Sequence, residues 1–464
     1  MIFKPHQYQL AAAHALLTHR HMALHADPGT GKTAIVLMLI HELKVRDMLH
    51  PTLVLAPLRI ATEVWPDEIA KWDQFNEISY SVIQGKNKSK ASETPADLHF
   101  ANIESLPWLV KNNALSKYRI LIIDESSKFK NWSAQRTKIL KSCISQFDRR
   151  YALTGSPAPR SLLDLFSQQY LVDKGAALGR YISHYRYEYF VDKGFGGWPN
   201  WQLREGADDR IYKKLAPYCH RIDGDVLLGT PSMLINDIRL TLPKKQQMSS
   251  FEALKNLHEM SLSSSFSAAD DSILARREAG GIDADGSLIH DVKIKALEDL
   301  IAELQGKNAL VFFYFRTEGK YLSKHFNAPV VMGGMSQKTT RKHLQAWCAG
   351  ELPLLFLQPS TTGHGLNLQS GGKDIIWFSF TYSQDDYYQA CRRIHGRQGI
   401  GARVHRLISR GSVDVAMIAS LEAKTGQQKA FLDAIAELTN SSKGALHDTP
   451  EKMGIIKKNK THTT

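Results

Sequence analysis

Ala26-Asp27-Pro28-Gly29-Thr30-Gly31-Lys32-Thr33 stands between the apolar run Met22-Ala23-Leu24 and a strongly apolar helical pattern over residues 34–43. Strand, glycine-rich turn and helix in that order form the context of a phosphate-binding loop. Gly29 and Gly31 allow the backbone to curl so that successive N–H groups face one anionic centre. Lys32 is expected to reach the β- and γ-phosphates, and the Thr33 hydroxyl to ligate Mg²⁺. Ala26 holds the position that usually carries the first glycine. The stretch implies that the chain binds a nucleoside triphosphate, with 26–33 as the cofactor-binding residues.

Outward from this loop, Thr52-Leu53-Val54-Leu55-Ala56 and Arg119-Ile120-Leu121-Ile122-Ile123 read as strands buried on both faces. The second ends in Asp124-Glu125, about 90 residues after the loop. An apolar strand that delivers two adjacent carboxylates there has a specific chemical use. Asp124 is expected to hold Mg²⁺ through water, and Glu125 to orient and deprotonate the attacking water. Tyr151-Ala152-Leu153-Thr154-Gly155-Ser156-Pro157 is a further strand ending in small polar residues. Alternating strands and helices predict a parallel sheet covered on both faces. Residues 58–72 read as an amphipathic helix carrying Trp65 and Trp72, and the lysine- and serine-rich 85–95 as a surface loop.

The pattern degrades over about 170–291. Tyr181, Tyr185, Tyr187, Tyr189 and Phe190 crowd together, and an aromatic, glycine-rich loop carries Trp198 and Trp201. Beside Arg186, Lys193 and Arg204, such aromatics suit stacking on nucleic acid. Packing of an irregular segment onto the first lobe is the preferred reading. A serine-rich run at 262–271 is expected to be mobile. Strand and helix patterns resume near Lys293, with strands at 309–313, 354–357, 374–378 and 403–408 and helices at 337–349 and 384–394. The last helix carries Gln389, Arg392 and Arg393, followed by His395 and Arg397. Arginine supplied to a triphosphate site is a known way to stabilise transition-state charge.

The chain has 464 residues, 43% hydrophobic and 23% charged, so two to four globular domains are expected. Its formal net charge of +13, with 59 basic against 46 acidic residues, points to a polyanionic partner. Cys143, Cys219, Cys348 and Cys391 form no CxxC pair, which suits a reducing compartment and excludes a disulfide framework. No apolar run approaches the ~20 residues of a membrane span. A cytoplasmic protein is expected.

Taken together, these segments resemble superfamily 2 helicases, and more closely the remodeller-type (switch/sucrose-non-fermenting) branch in its short phage and bacterial form. The resemblance runs over residues 3–425. Lys4-Pro5-His6-Gln7 matches the glutamine motif, and the loop at 26–33 is motif I. Pro57-Leu58 through Trp65 and Lys71-Trp72 resembles motif Ia, and Asn102-Ile103-Glu104-Ser105-Leu106 motif Ib. Asp124-Glu125-Ser126-Ser127-Lys128-Phe129-Lys130-Asn131 looks like motif II with its branch-specific extension. Leu153-Thr154-Gly155-Ser156-Pro157 matches motif III. His220-Arg221-Ile222, Asp225-Val226-Leu227 and Pro231 are similar to the arm that joins the lobes in this branch. Thr362-Gly363-His364-Gly365-Leu366-Asn367-Leu368-Gln369 matches motif V, and residues 389–399 motif VI.

The resemblance implies an α/β fold of two RecA-like parallel-sheet lobes, 1–170 and 292–439, with an irregular, partly helical arm over 171–291 and a disordered basic tail at 440–464. It implies ATP and Mg²⁺ as cofactors, held between the lobes. Gln7 would read the adenine, while Gln389, Arg393 and Arg397 close on the phosphates. The implied function is a monomeric, nucleic-acid-stimulated ATPase that translocates on duplex DNA and remodels protein–DNA or DNA structures. A strand-separating DNA or RNA helicase is one alternative. An ATP-controlled nucleic-acid clamp that hydrolyses little is the other. Motif VI departs from the family pattern: Gly396 occupies the place of the second arginine, and Arg397 follows one residue later. Either Arg397 substitutes from the same helix face, or Gly396 is an insertion that bends the loop.

Overall fold

The computed structural model describes residues 1–27, 29–155, 157–158, 161–194, 201–222, 233–261, 272–361, 368, 370–394 and 401–423. Pro28, Ser156, residues 195–200, 225–227, Pro231, 262–271, 362–367, Gln369, 395–399 with Arg397, and the 440–464 tail therefore lie outside the described residues. The chain divides after residue 230 into two compact α/β units.

The strands are β1 His21–Ala26, β2 Thr52–Ala56, β3 Tyr80–Ile83, β4 Leu98–Asn102, β5 Ile120–Asp124, β6 Arg149–Thr154, β7 Phe190–Asp192, β8 Trp201–Leu203, β9 Cys219–Ile222, β10 Leu234–Leu240, β11 Ala309–Phe312, β12 Val330–Val331, β13 Leu354–Leu357, β14 Asp374–Trp377 and β15 Arg403–Ser409. The first lobe is a seven-stranded sheet in the order β3-β4-β2-β5-β6-β1-β9. All its pairings are parallel, as are those of the second lobe's sheet, β10-β15-β14-β11-β13-β12. A parallel sheet is covered on both faces, which is why β2, β5 and β6 are buried along their whole length. The two-residue alternation sorts the side chains. Ile120 and Ile122 of β5 pack under the helices Gln7–Thr18 and Lys32–Val45. Leu121 and Ile123 pack on the opposite face with Leu106, Leu109, Leu140 and Leu171.

In the second lobe, Val311, Phe313, Phe356 and Ile376 meet the helices Val292–Glu303 and Arg316–His325 on one face. On the other, Phe312 stacks on Trp377 at 4.7 Å, and Trp377 meets Tyr387 of the helix Gln384–Arg392 at 4.8 Å. Tyr387, Ala390, Cys391 and Ile394 are buried, so the spacing i, i+3, i+4, i+7 sets which face of this helix points inward.

The stretch expected to form an arm, 171–291, supplies an edge strand to each sheet. β9 pairs with β1 and β10 with β15. β10 is tied in electrostatically: Arg406 binds Asp237 through Nε at 2.5 Å and Nη2 at 2.9 Å, and reaches Glu422 at 2.8 Å. With the Arg406 side chain 4% exposed, Asp237→Ala removes one partner of a buried pair. The expected destabilisation is about 3 kcal/mol, read by urea unfolding.

The crowded aromatics pack as the preferred reading has them. Tyr185, Tyr189 and Phe190 are buried with Phe166, Leu165 and Ile211, against Trp132 and Trp201. Tyr181 and Tyr187 are the exceptions, 61% and 81% exposed. Residues 85–95, expected as a loop, instead form a short turn and the helix Lys88–Glu93, with Ser92 buried. Between Pro57 and Trp72 the expected single helix is a wide π-type turn, Ile60–Val64, followed by the helix Trp65–Lys71. No helix among the described residues is long and apolar enough to cross a membrane.

Candidate active site

In a parallel α/β sheet, ligands gather beyond the carboxyl ends of the strands. β1 delivers the phosphate loop at that edge, and β5 delivers Asp124 and Glu125. Only β6 separates them, so two strand spacings, about 10 Å, lie between the backbones.

The loop is shaped by its two glycines. Gly29 has φ 89° and Gly31 φ 85°, a region that residues with a Cβ rarely adopt. Gly31 caps the helix Lys32–Val45, which aims its unpaired N–H groups and the positive end of its dipole at the loop. Ala26 is buried at the end of β1. The Asp27 N–H donates to the Ile222 carbonyl of β9 at 3.2 Å, so the edge strand anchors the start of the loop. Buried Thr30 closes the turn, its hydroxyl donating to the Asp27 carbonyl at 2.8 Å. Lys32 Nζ donates to the carbonyls of Ala26 at 2.8 Å and Asp27 at 3.3 Å. Thr33 is half-buried in the first turn of the helix.

The glutamine motif joins the loop through a residue that the resemblance did not single out. Gln7, expected at the adenine, is exposed as the first residue of its helix. Two residues on, buried Gln9 accepts from the His6 N–H at 2.9 Å and donates to the Thr30 carbonyl at 3.0 Å. Tyr8 reaches the same carbonyl at 3.2 Å. Gln9 therefore supports the loop from below. Its two-residue offset from Gln7 carried no signal in the sequence.

Asp124 and Glu125 are 6% and 4% exposed. The Trp65 indole N–H donates to Asp124 Oδ2 at 2.9 Å, which ties motif Ia to motif II. Glu125 sits at φ 67°, ψ 63°, a left-handed conformation unusual for a side-chain-bearing residue. The strain, about 1–3 kcal/mol, persists only because the surroundings hold it. Thr154 Oγ1, at the end of β6, donates to Glu125 Oε1 at 3.0 Å, and Ser127 Oγ donates to the same oxygen. Ser126 Oγ meets Gln168 Oε1 at 2.8 Å, and Gln168 Nε2 donates to the Pro157 carbonyl at 2.7 Å. Motifs II and III are thus locked by donors on β6 and on the helix Leu163–Asp173.

Hydrogen bonds to a charged acceptor are worth about 1.5–3 kcal/mol. Thr154→Val, which keeps the shape and removes one donor to Glu125, should lower kcat for ATP hydrolysis about 10-fold. The KM for ATP should stay within about 2-fold, since the donor orients the carboxylate rather than the nucleotide.

In the second lobe, Gln389 and Arg393 are half-buried one helical turn apart, the Arg393 N–H bonding the Gln389 carbonyl at 3.1 Å. They share a face, while Arg392 shares its face with Tyr388. The Arg393 carbonyl accepts from the Leu368 N–H at 3.2 Å, linking motif VI to the last described residue of motif V. Arg397, the candidate second arginine, lies outside the described residues.

The SNF2-related domain family matches residues 8–175, and the helicase conserved C-terminal domain family matches residues 292–398. Among curated proteins, protein p41 of Acyrthosiphon pisum secondary endosymbiont phage 1 is 28% identical over 460 residues, covering 93% of this chain and 99% of that one. The DNA annealing helicase and endonuclease ZRANB3 of Bos taurus is 24% identical over 442 residues. That match covers 90% of this chain but only 39% of the relative. Among solved structures, the Sulfolobus solfataricus SWI2/SNF2 ATPase core in complex with dsDNA matches with a TM-score of 0.44 at 19% identity, covering 98% of this chain and 99% of that one. Carrying an SNF2-related domain followed by a helicase conserved C-terminal domain, the chain belongs to superfamily 2 as an ATP-hydrolysing helicase/translocase of the SNF2-related kind.

Proposed function

We infer that the chain is a monomeric, cytoplasmic motor that spends ATP to track along duplex DNA and to remodel protein–DNA or DNA structures there. The observation that carries the reading is the buried Asp124–Glu125 pair, with only β6 between it and the phosphate loop, and with Thr154 and Ser127 donating to Glu125. A clamp that only grips needs no carboxylate held strained and oriented for water. The net charge of +13 supports a polyanionic track. Resemblance of the branch-specific residues, and likeness to a protein named a DNA annealing helicase, support DNA.

Lys32 is the cation that meets the β- and γ-phosphates, and the N–H groups around Gly29 and Gly31 cradle them. Thr33 and Asp124 offer a hydroxyl and a carboxylate on rigid elements, the oxygen donors that Mg²⁺ takes. The ion, when bound, neutralises charge on the phosphates. Glu125 takes the proton of the attacking water, oriented by its two hydroxyl donors. Gln7 reads the adenine. Gln389 and Arg393, with Arg397, stabilise the charge that develops on the transferred phosphoryl group.

ATPase rates with duplex DNA, single-stranded DNA, RNA and no polymer test the reading. The largest stimulation is expected from duplex DNA. Stimulation by single strands or RNA alone would favour a strand-separating helicase, and none by any polymer would remove the track. Binding should fall by at least ~10²-fold between 50 and 200 mM salt, equally on two unrelated duplexes, because phosphate contacts dominate. A flat salt response would contradict it.

A further inference from the structure

A cavity of about 890 Å³ opens in the first lobe at the amino ends of β1 and β6, lined by Arg20, His21, Asp148, Arg150, Tyr170, Asp173, Lys174 and Arg180 among others. β1 runs six residues at about 3.3 Å each from here to the phosphate loop. About 20 Å of strand therefore separates the two sites, and nothing in the hydrolysis chemistry uses this one.

Four cationic side chains line the cavity against two carboxylates, of which buried Asp173 acts on the Arg150 charge and is itself held by neutral donors. Asp173 accepts from Gln169 Nε2 at 2.8 Å and from the N–H groups of Gly175, Ala176 and Ala177 at 2.8–3.2 Å. Asp148 is exposed and screened by water.

Arg150 is the unusual member, because it is 5% exposed. Its Nε donates to the Val172 carbonyl at 2.7 Å, and Nη1 to the Phe147 and Ile144 carbonyls at 3.2 and 3.5 Å. These bonds fix the guanidinium and leave Nη2 without a hydrogen-bond partner among the described residues. Beside it, His21 Nδ1 is buried and also unpartnered. Burial, and then the Arg150 charge, hold the His21 pKa down at about 4, so the ring is neutral and the guanidinium supplies the charge. A fixed arginine in a concave, partly dry site is the usual recogniser of phosphate. Exposed Arg20, Lys174 and Arg180 supply flexible cations around it. The volume suits a ligand of nucleotide size.

We propose that this cavity is a second anion site, one that takes a phosphomonoester or pyrophosphate group carried by a small molecule or by the 5′ end of a nucleic-acid strand. Pyrophosphate binding by the full chain, followed by calorimetry at low salt, tests it. In a Lys32→Ala background, which removes the main cation of the phosphate loop, one pyrophosphate should still bind. Adding Arg20→Glu and Lys174→Glu, both at exposed positions, should weaken that binding at least 10-fold without shifting the thermal unfolding midpoint. Arg180→Glu is the independent third variant and should weaken binding in the same direction. Competition with a 5′-phosphorylated oligonucleotide and its 5′-hydroxyl twin separates the sources. Stronger competition by the phosphorylated strand assigns the site to strand ends, and displacement by neither strand assigns it to a small phosphorylated ligand. Equal competition by both strands would overturn the proposal in favour of plain backbone binding. Loss of pyrophosphate binding on Lys32→Ala alone, or indifference to the charge reversals, would overturn it outright.

Discussion

Glu125→Gln is expected to cut kcat for ATP hydrolysis by about 10³-fold, the middle of the range for removing a positioned general base. ATP affinity should stay within about 3-fold. The substitution keeps an acceptor where Thr154 and Ser127 donate and removes only basicity, so the strained backbone at φ 67° loses little of its support. Binding of ATP rests instead on the phosphate loop, whose contacts run through Thr30, Lys32 and Gln9. Rapid-quench single-turnover kinetics with labelled ATP would separate the two. A Gln variant that hydrolyses at the wild-type rate would mean that Glu125 is not the base, and that its strained geometry serves structure alone.

The second large effect belongs to motif VI. Arg393→Ala should lower DNA-stimulated kcat by about 10³-fold, the lower end of arginine-finger effects, with modest change in ATP affinity. Arg392→Ala should change it by less than about 3-fold. The distinction comes from packing: Tyr387, Cys391 and Ile394 face the sheet, which leaves Arg393 in line with Gln389 and Arg392 in line with Tyr388. Side-by-side ATPase rates for the two variants and for Arg397→Ala check it. Loss at Arg392 with Arg393 silent would place the catalytic face elsewhere on the helix. A silent Arg397 beside a strong Arg393 would leave a motor with one arginine.

What could be read from sequence follows from what a parallel sheet demands. β2 and β5 are buried on both faces and read as near-continuous apolar runs, and β1 and β6 keep apolar centres at 22–24 and 151–153, so the strand–glycine–helix and strand–Asp-Glu junctions followed directly. The edge strands were not legible. β9 is Cys-His-Arg-Ile, and β10 is half-exposed and held by the Asp237–Arg406 pair, so neither carries a run of buried residues. Their absorption into the two sheets is set by pairing with β1 and β15, partners far away in sequence.

The site divides in the same way. Gly29, Gly31 and Lys32, proposed to bind through local backbone geometry, were visible because the motif lies in consecutive positions. Residues that orient them were not. Trp65 meets Asp124 across 59 positions, Thr154 meets Glu125 across 29, and Gln168 meets Ser126 across 42. Only the folded sheet brings these together. Gln9 was hidden for another reason: two residues from Gln7 on one helix, it points to a different side.

Movement along duplex DNA is the central claim, and displacement of a third strand measures it most directly. A long duplex carrying a labelled triplex-forming oligonucleotide would be incubated with the full chain and ATP. Release of the third strand is expected, with the duplex strands still paired, at a delay that grows with the distance from the duplex end to the triplex. Glu125→Gln should release none. Hydrolysis of ATP on this duplex without release, or separation of the duplex strands themselves, would contradict the account.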